Sequence, residues 1–205
     1  MRTLATALRL TVLLTFLVGI VYPLAVMVAG RVLFAVQARG SLVVRGGKVV
    51  GSSLIGQSFT SPRYFHGRPS AAGSGNGYDA ANSGASNLAP TNAALVAAVR
   101  ARLKAVLAEN PGVSASQVPI DLVTASASGL DPEISPQAAE LQVARVARAR
   151  RLSPEAVRAL VWAHTRPRWL GIFGEPGVNL LTLNLALDRL ESGTAAGSDE
   201  RSHRR

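Results

Sequence analysis

Leu10–Gly30 reads LTVLLTFLVGIVYPLAVMVAG, 21 residues without a charged side chain. An apolar helix of about 20 residues, rising about 1.5 Å each, crosses a hydrocarbon core of about 30 Å. Arg9 and Arg31 close its two ends. Pro23 falls inside the run, where a membrane helix tolerates proline if the freed carbonyl finds a local partner. A cleaved signal peptide is the rival reading, with Val36-Gln37-Ala38 as its candidate cleavage site. Signal cores span only about 7–15 apolar residues, so length favours a retained single-pass anchor.

The 205-residue chain leaves room after this span for one modest globular domain. The expected division is 1–35 as anchor, 36–191 as one mixed α+β soluble domain, and 192–205 as a polar tail lacking fixed structure. The fold class is therefore α+β with one N-terminal transmembrane helix. Charge does not orient the span. Arg2, Arg9 and the amino terminus on one side balance Arg31, Arg39, Arg45 and Lys48 on the other.

The net charge of +10 raises the question of nucleic acid, but aromatics make up only 5% of the chain. A basic stripe interleaved with stacking aromatics is missing, so no nucleic-acid partner is expected. With no cysteine, disulfides and thiolate metal sites are excluded.

Downstream, Ser41–Val44 and Lys48–Leu54 read as two strands joined through Gly46-Gly47. Residues 56–92 are rich in Gly, Ser, Asn and Pro yet contain Phe59, Tyr64, Phe65 and Tyr78. Four aromatics are foreign to a flexible linker, so the segment reads as a structured irregular loop. Residues 92–109 form an amphipathic helix capped by Thr91 or Asn92, with Leu95, Val99, Leu103 and Val106 or Leu107 on one face. Val118–Val123 reads as a short buried extended run and Ala125–Pro136 as loop. Helices start at Ser135-Pro136 and Ser153-Pro154, each a serine cap followed by proline at the first helical position. Val178–Leu187 reads as a strand leading into a short helix.

Catalytic signatures are absent. There is neither a phosphate-cradling G-x-x-x-x-G-K-[ST] loop nor a G-x-S-x-G elbow. The histidines are His66, His164 and His203, with no pair at metal-ligand spacing. Ser83-Gly84-Ala85-Ser86-Asn87 reads either as an anion-cradling nest or as a plain turn of small polar residues. Asp131 reads as a loop brace or cap. Arg145, Arg148, Arg150 and Arg151 read as a solvated basic face, with anionic lipid as the other reading.

An ordered series of short motifs carries a family resemblance. It comprises Leu54-Ile55-Gly56-Gln57 with Phe59, Tyr64-Phe65, Arg68-Pro69-Ser70-Ala71, Tyr78-Asp79, Ser83 to Leu88, and Pro90-Thr91-Asn92. It continues through Asp121 to Pro132, Ile134-Ser135, Gln142 with Arg145-Val146-Ala147, Gly174-Glu175-Pro176, Val178-Asn179 and Leu183 to Asp188. In this series the chain resembles the KdpC family, the C subunit of the Kdp potassium-transporting P-type ATPase. Ala85 and Ala89 stand where that family usually has glycine, and Gly177 stands where a basic residue is common.

The resemblance implies an accessory subunit of the bacterial inner membrane with its soluble domain outside the cytoplasm. Its partners would be a channel-like potassium-binding subunit, a P-type ATPase subunit and the lipid bilayer. It implies no catalytic residue, no metal site and no firmly bound cofactor, ATP and K+ being handled by the complex. It also carries the suggestion that the subunit raises ATP affinity as a catalytic chaperone, with Ser83, Gly84, Ser86, Asn87 and Gln142 as nucleotide-related candidates. Gln57, Tyr64, Phe65, Arg68, Asn87, Thr91, Asn92, Asp131 and Asn179 are the partner-facing or loop-organising candidates. The competing expectation is an anchored extracytoplasmic hydrolase using Ser83 or Ser86 with His66. It lacks a full nucleophile, base and orienting group.

Overall fold

The computed structural model describes residues 2–73 and 77–202, with side chains through residue 191. The chain divides into two compact units, 1–50 and 51–205.

The first unit is dominated by one apolar helix, Arg2–Leu33, none of it buried within the protein. It is built from α1 (Arg2–Phe16), a π-helical turn (Leu17–Val21) and α2 (Tyr22–Leu33). Pro23 explains the π turn. Proline has no N–H, and its ring collides with the carbonyl four residues back. Widening one turn relieves the crowding, and the Tyr22 N–H reaches back five residues to the Leu17 carbonyl. At 32 residues the helix is long and apolar enough to cross a membrane.

After a single turn, α3 (Ala35–Ala38), come β1 (Leu42–Arg45) and β2 (Lys48–Ser52), paired as a hairpin. Gly46 and Gly47 take φ of 56° and 75°, the double left-handed turn that matches the twist of a two-residue hairpin.

In the second unit, α4 (Ala93–Glu109) starts where Asn92 accepts a hydrogen bond from the Ala94 N–H at 2.8 Å. Its expected apolar stripe is only half-buried, and no residue of α4 is fully enclosed. The extended run expected at 118–123 is instead two 3-10 turns, Ala115–Gln117 and Ile120–Leu122. Pro119 offers no N–H to a ladder. Asp121 turns inward to accept from the Ser135 N–H at 2.7 Å and hydroxyl at 3.2 Å. Ser135 in turn caps α5 (Pro136–Arg150) by accepting from the Ala138 N–H. Ser153 does the same for α6 (Pro154–Ala163).

A three-stranded antiparallel sheet in the order β3-β5-β4 joins β3 (Glu133–Ile134), β4 (Thr165–Arg166) and β5 (Gly177–Asn179). Val178 is its centre, opposite Ile134 on one side and Thr165 on the other. β3 lies within the stretch read from sequence as loop. A two-residue strand has no periodicity to detect, and only its pairing with β5 defines it. The final helix, α7, runs Leu180–Ser202, far longer than the short helix expected there. The segment 192–205, expected to lack fixed structure, lies outside the described side chains. His203 lies outside the described residues altogether.

The core gathers Val143, Val146 and Ala147 of α5, Val157 and Val161 of α6, and Leu180, Leu183 and Leu187 of α7. Ile134 and Val178 join from the sheet, and Phe65 from the irregular segment. Gly129 marks a tight crossing beneath that segment. Its φ is +69°, and an added Cβ would sit 2.6 Å from the Ala72 amide nitrogen and 2.7 Å from the Gly84 carbonyl oxygen. Gly112 is also left-handed, at +93°, but has open space around it. Gly129→Ala should therefore cost more than about 2 kcal/mol, and Gly112→Ala about 1 kcal/mol. Thermal unfolding of the two variants in mild detergent should separate them in that order.

Candidate functional site

Among the described residues of 53–91 none lies in a helix or strand, yet Phe65 and Ala72 are fully buried. A buried backbone without a ladder must find side-chain partners. Three side chains on α5 and one on α7 provide them.

Asn184 of α7 holds Phe65 at both ends, accepting its N–H at 2.9 Å and donating to its carbonyl at 3.1 Å. Gln142 of α5 does the same for His66, accepting its N–H at 2.8 Å and donating to its carbonyl at 3.1 Å. Gln142 also donates to the Ala138 carbonyl and accepts from Arg145. With both amide hydrogens and both acceptor positions engaged, and 2% exposure, its hydrogen-bonding capacity is fully used.

Arg145 and Arg150 correct the solvated-face reading. They are 6% and 4% exposed, while Arg148 and Arg151 are exposed. Arg145 donates to the carbonyls of Pro62 at 2.8 Å and Tyr64 at 3.1 Å. Burial lowers its pKa, and the charge of Glu109 partly opposes that shift. Arg150 donates to the Arg63 carbonyl at 2.6 Å and pairs with Asp188 and Glu191, both at 2.9 Å. Its guanidinium also lies 4.7 Å from the Tyr64 ring centroid. Both arginines are buried because the segment's carbonyls need donors, and a forked guanidinium serves several at once.

The remaining candidates also meet the segment or its neighbours. Tyr64 donates to Asp188 and packs against Phe59. Arg68 pairs with Asp131 at 2.8 Å, and Asp131 also accepts from the Glu133 N–H. Asn179 donates to the Ser53 carbonyl and accepts from the Thr182 N–H in the first turn of α7. Gln57 packs close to Gly51, where a side chain would collide with its amide group. Ser70 gathers three partners: its hydroxyl donates to the Gly129 carbonyl and accepts from the Ala72 and Tyr78 N–H groups.

In the Ser83–Asn87 turn, the Ser83 hydroxyl and the Gly84 N–H both donate to the Ser128 carbonyl. Ser86 is exposed, and Asn87 is exposed with φ of 51°. Thr91 is exposed beside Asn92, the residue that caps α4. The ring nitrogens of His66 meet Glu109 at 3.1 Å and the Ser61 carbonyl at 3.0 Å, not Ser83 or Ser86. Among the described residues no cluster of His, Asp and Glu could hold a metal ion.

Sequence reasoning missed Arg150, Asn184 and Ser70 as organisers. A signal for Arg150 was present. Gln142 and Arg150 fall in helical phase with Ala139, Val143, Val146 and Ala147, so the apolar face of α5 includes two polar positions.

Asn184→Leu leaves the Phe65 N–H and carbonyl buried without partners, at about 1–3 kcal/mol for each group. It should lower the thermal midpoint severely, while Ser83→Ala, at an exposed site, should change it little. Tyr78 gives a pH test. Burial, with the Asp131 charge adding to it, pushes its phenol up to about 12, and the phenol donates to the Arg68 carbonyl at 2.6 Å. An unfolded tyrosine titrates near 10, so between about 10 and 12 the unfolded chain has released a proton that the folded chain keeps. This contribution is intact below about pH 10 and is lost as pH rises toward 12. Absorbance titration at alkaline pH should show a late phenol that Tyr78→Phe removes.

Comparison with known proteins agrees with these features. Residues 4–189 match the family described as K+-transporting ATPase, c chain. The chain is 54% identical over 192 residues to a Potassium-transporting ATPase KdpC subunit of Gemmatimonas aurantiaca, covering 94% of this chain and 95% of that protein. It is 57% identical to the protein of the same name from Polaromonas naphthalenivorans, over 93% and 96% of the two chains. For that of Rhodospirillum rubrum the identity is 58%, over 92% and 96%. An N-terminal helix fit to cross a membrane, an α+β unit and a match over nearly the whole length lead to one conclusion: the chain belongs to the KdpC family of potassium-transporting ATPase subunits.

Proposed function

We propose that this chain is a non-catalytic accessory subunit that supports assembly and stability of the potassium-transporting ATPase complex. One observation carries the reading. The side chains that stand out in the family's motif series, including Tyr64, Arg68, Asp131, Gln142, Arg145, Asn179 and Asn184, are engaged in holding the irregular segment and its neighbours. Their bonds build a rigid surface rather than a reactive pocket. The ion path and phosphoryl transfer then belong to the channel-like and P-type ATPase subunits, with the soluble unit outside the cytoplasm of a bacterial inner-membrane protein. No cofactor is held by this chain.

An influence on ATP affinity is assigned to the assembled complex, acting indirectly. Gln142 has no free hydrogen-bonding capacity for a nucleotide, and two donors of the Ser83–Asn87 turn are committed to Ser128. The hydrolase alternative gains no support, because the ring nitrogens of His66 meet Glu109 and Ser61.

The test is to purify the complex with and without this chain and measure potassium-stimulated ATPase activity. The chain should co-purify, and its omission should reduce both activity and yield of the assembled complex. Serine substitutions at 83 and 86 to alanine should leave turnover and the ATP dependence unchanged. Full activity without the chain would overturn the reading.

A further inference from the structure

Between β4 and β5 the chain makes a short finger whose tip is Trp169-Leu170-Gly171-Ile172-Phe173. Its four large side chains are exposed by 66%, 70%, 73% and 57%, an unusual concentration of apolar surface outside the N-terminal helix. Two left-handed residues, Leu170 at φ 52° and Gly171 at 75°, turn the chain sharply enough to bring Trp169 and Phe173 together as a β-bridge. Their rings lie 5.7 Å apart.

We propose that this tip seats in the surface of the lipid bilayer, as a second membrane contact beside the N-terminal helix. Two observations favour lipid over a protein partner. First, four of the five N–H groups of the tip are bonded within the finger. Trp169 N–H donates to the Phe173 carbonyl at 2.8 Å, Phe173 N–H and Ile172 N–H donate to the Trp169 carbonyl, and Gly171 N–H donates to the Arg168 carbonyl. Backbone entering a bilayer must satisfy its polar groups internally, whereas a protein surface can supply partners.

Second, charge is confined to the base of the finger and balanced there. Arg168 pairs with Glu175 at 2.8 Å and Arg166 with Glu133 at 2.7 Å, all partly exposed. Aromatic and aliphatic groups at the apex with cations below them match the layering of a membrane interface. A five-residue tip is also small beside the roughly 20–30 residues a side of a stable protein interface.

The chain has two tryptophans, so Trp162→Phe leaves Trp169 as its sole indole. This full-length variant is placed alone in nanodiscs of phosphatidylcholine and phosphatidylglycerol, with and without bromine on the acyl chains. Seating predicts that brominated lipid lowers Trp169 emission about twofold, because the indole reaches the acyl boundary. Adding Leu170→Asp and Ile172→Asp should abolish the quenching while a cooperative thermal transition is retained. Emission indifferent to bromine but quenched by aqueous acrylamide would overturn the proposal. So would shielding that appears only when the other subunits of the complex are added, which would assign the tip to a protein surface.

Discussion

The second unit depends on how a long, irregular, partly buried segment satisfies its backbone. The described residues of 53–91 have no ladder of their own, and a buried peptide group without a partner costs as much as a hydrogen bond contributes. The solution is to line two helices with polar side chains that imitate a neighbouring strand. Gln142 and Asn184 each engage one residue's N–H and carbonyl together. Arg145 and Arg150 collect the carbonyls of Pro62, Arg63 and Tyr64. With those bonds made, Phe65 can enter the core fully. Without them its burial would leave polar groups stranded, so the hydrophobic and polar terms stand or fall together.

Other polar side chains also tie distant parts of the chain. Asp121 braces the Ser135 cap of α5, Arg68 reaches Asp131, and Asn179 links the start of α7 to Ser53. The three-stranded sheet is too small to specify a fold by itself. Order comes from side chain to backbone bonds that span the sequence. A network of this kind positions a surface with little freedom.

Much of the fold was legible because local signals were strong. The apolar run, the Gly46-Gly47 turn and the two Ser-Pro starts each have a near-neighbour cause, and each element formed there. What could not be read depended on partners far away. β3 has two residues and exists only through β5. Pro119 and the inward turn of Asp121 replace an extended run by 3-10 turns, a choice set by Ser135 fourteen residues on. Arg145 and Arg150 looked like solvated cations because their acceptors lie 81 to 87 residues away in sequence. The helical phase of Arg150 with Val143 and Val146 was the one local indication, and it competed with the expectation that arginines stay outside.

Hydrogen exchange of backbone amides in the full-length chain tests most directly the claim that residues 53–91 are a built part of the core. The account predicts that the Phe65, His66 and Tyr78 amides, bonded to Asn184, Gln142 and Ser70, exchange as slowly as those in the middle of α5. Exchange of those three amides at the rate of an unstructured peptide, while α5 stays protected, would contradict it.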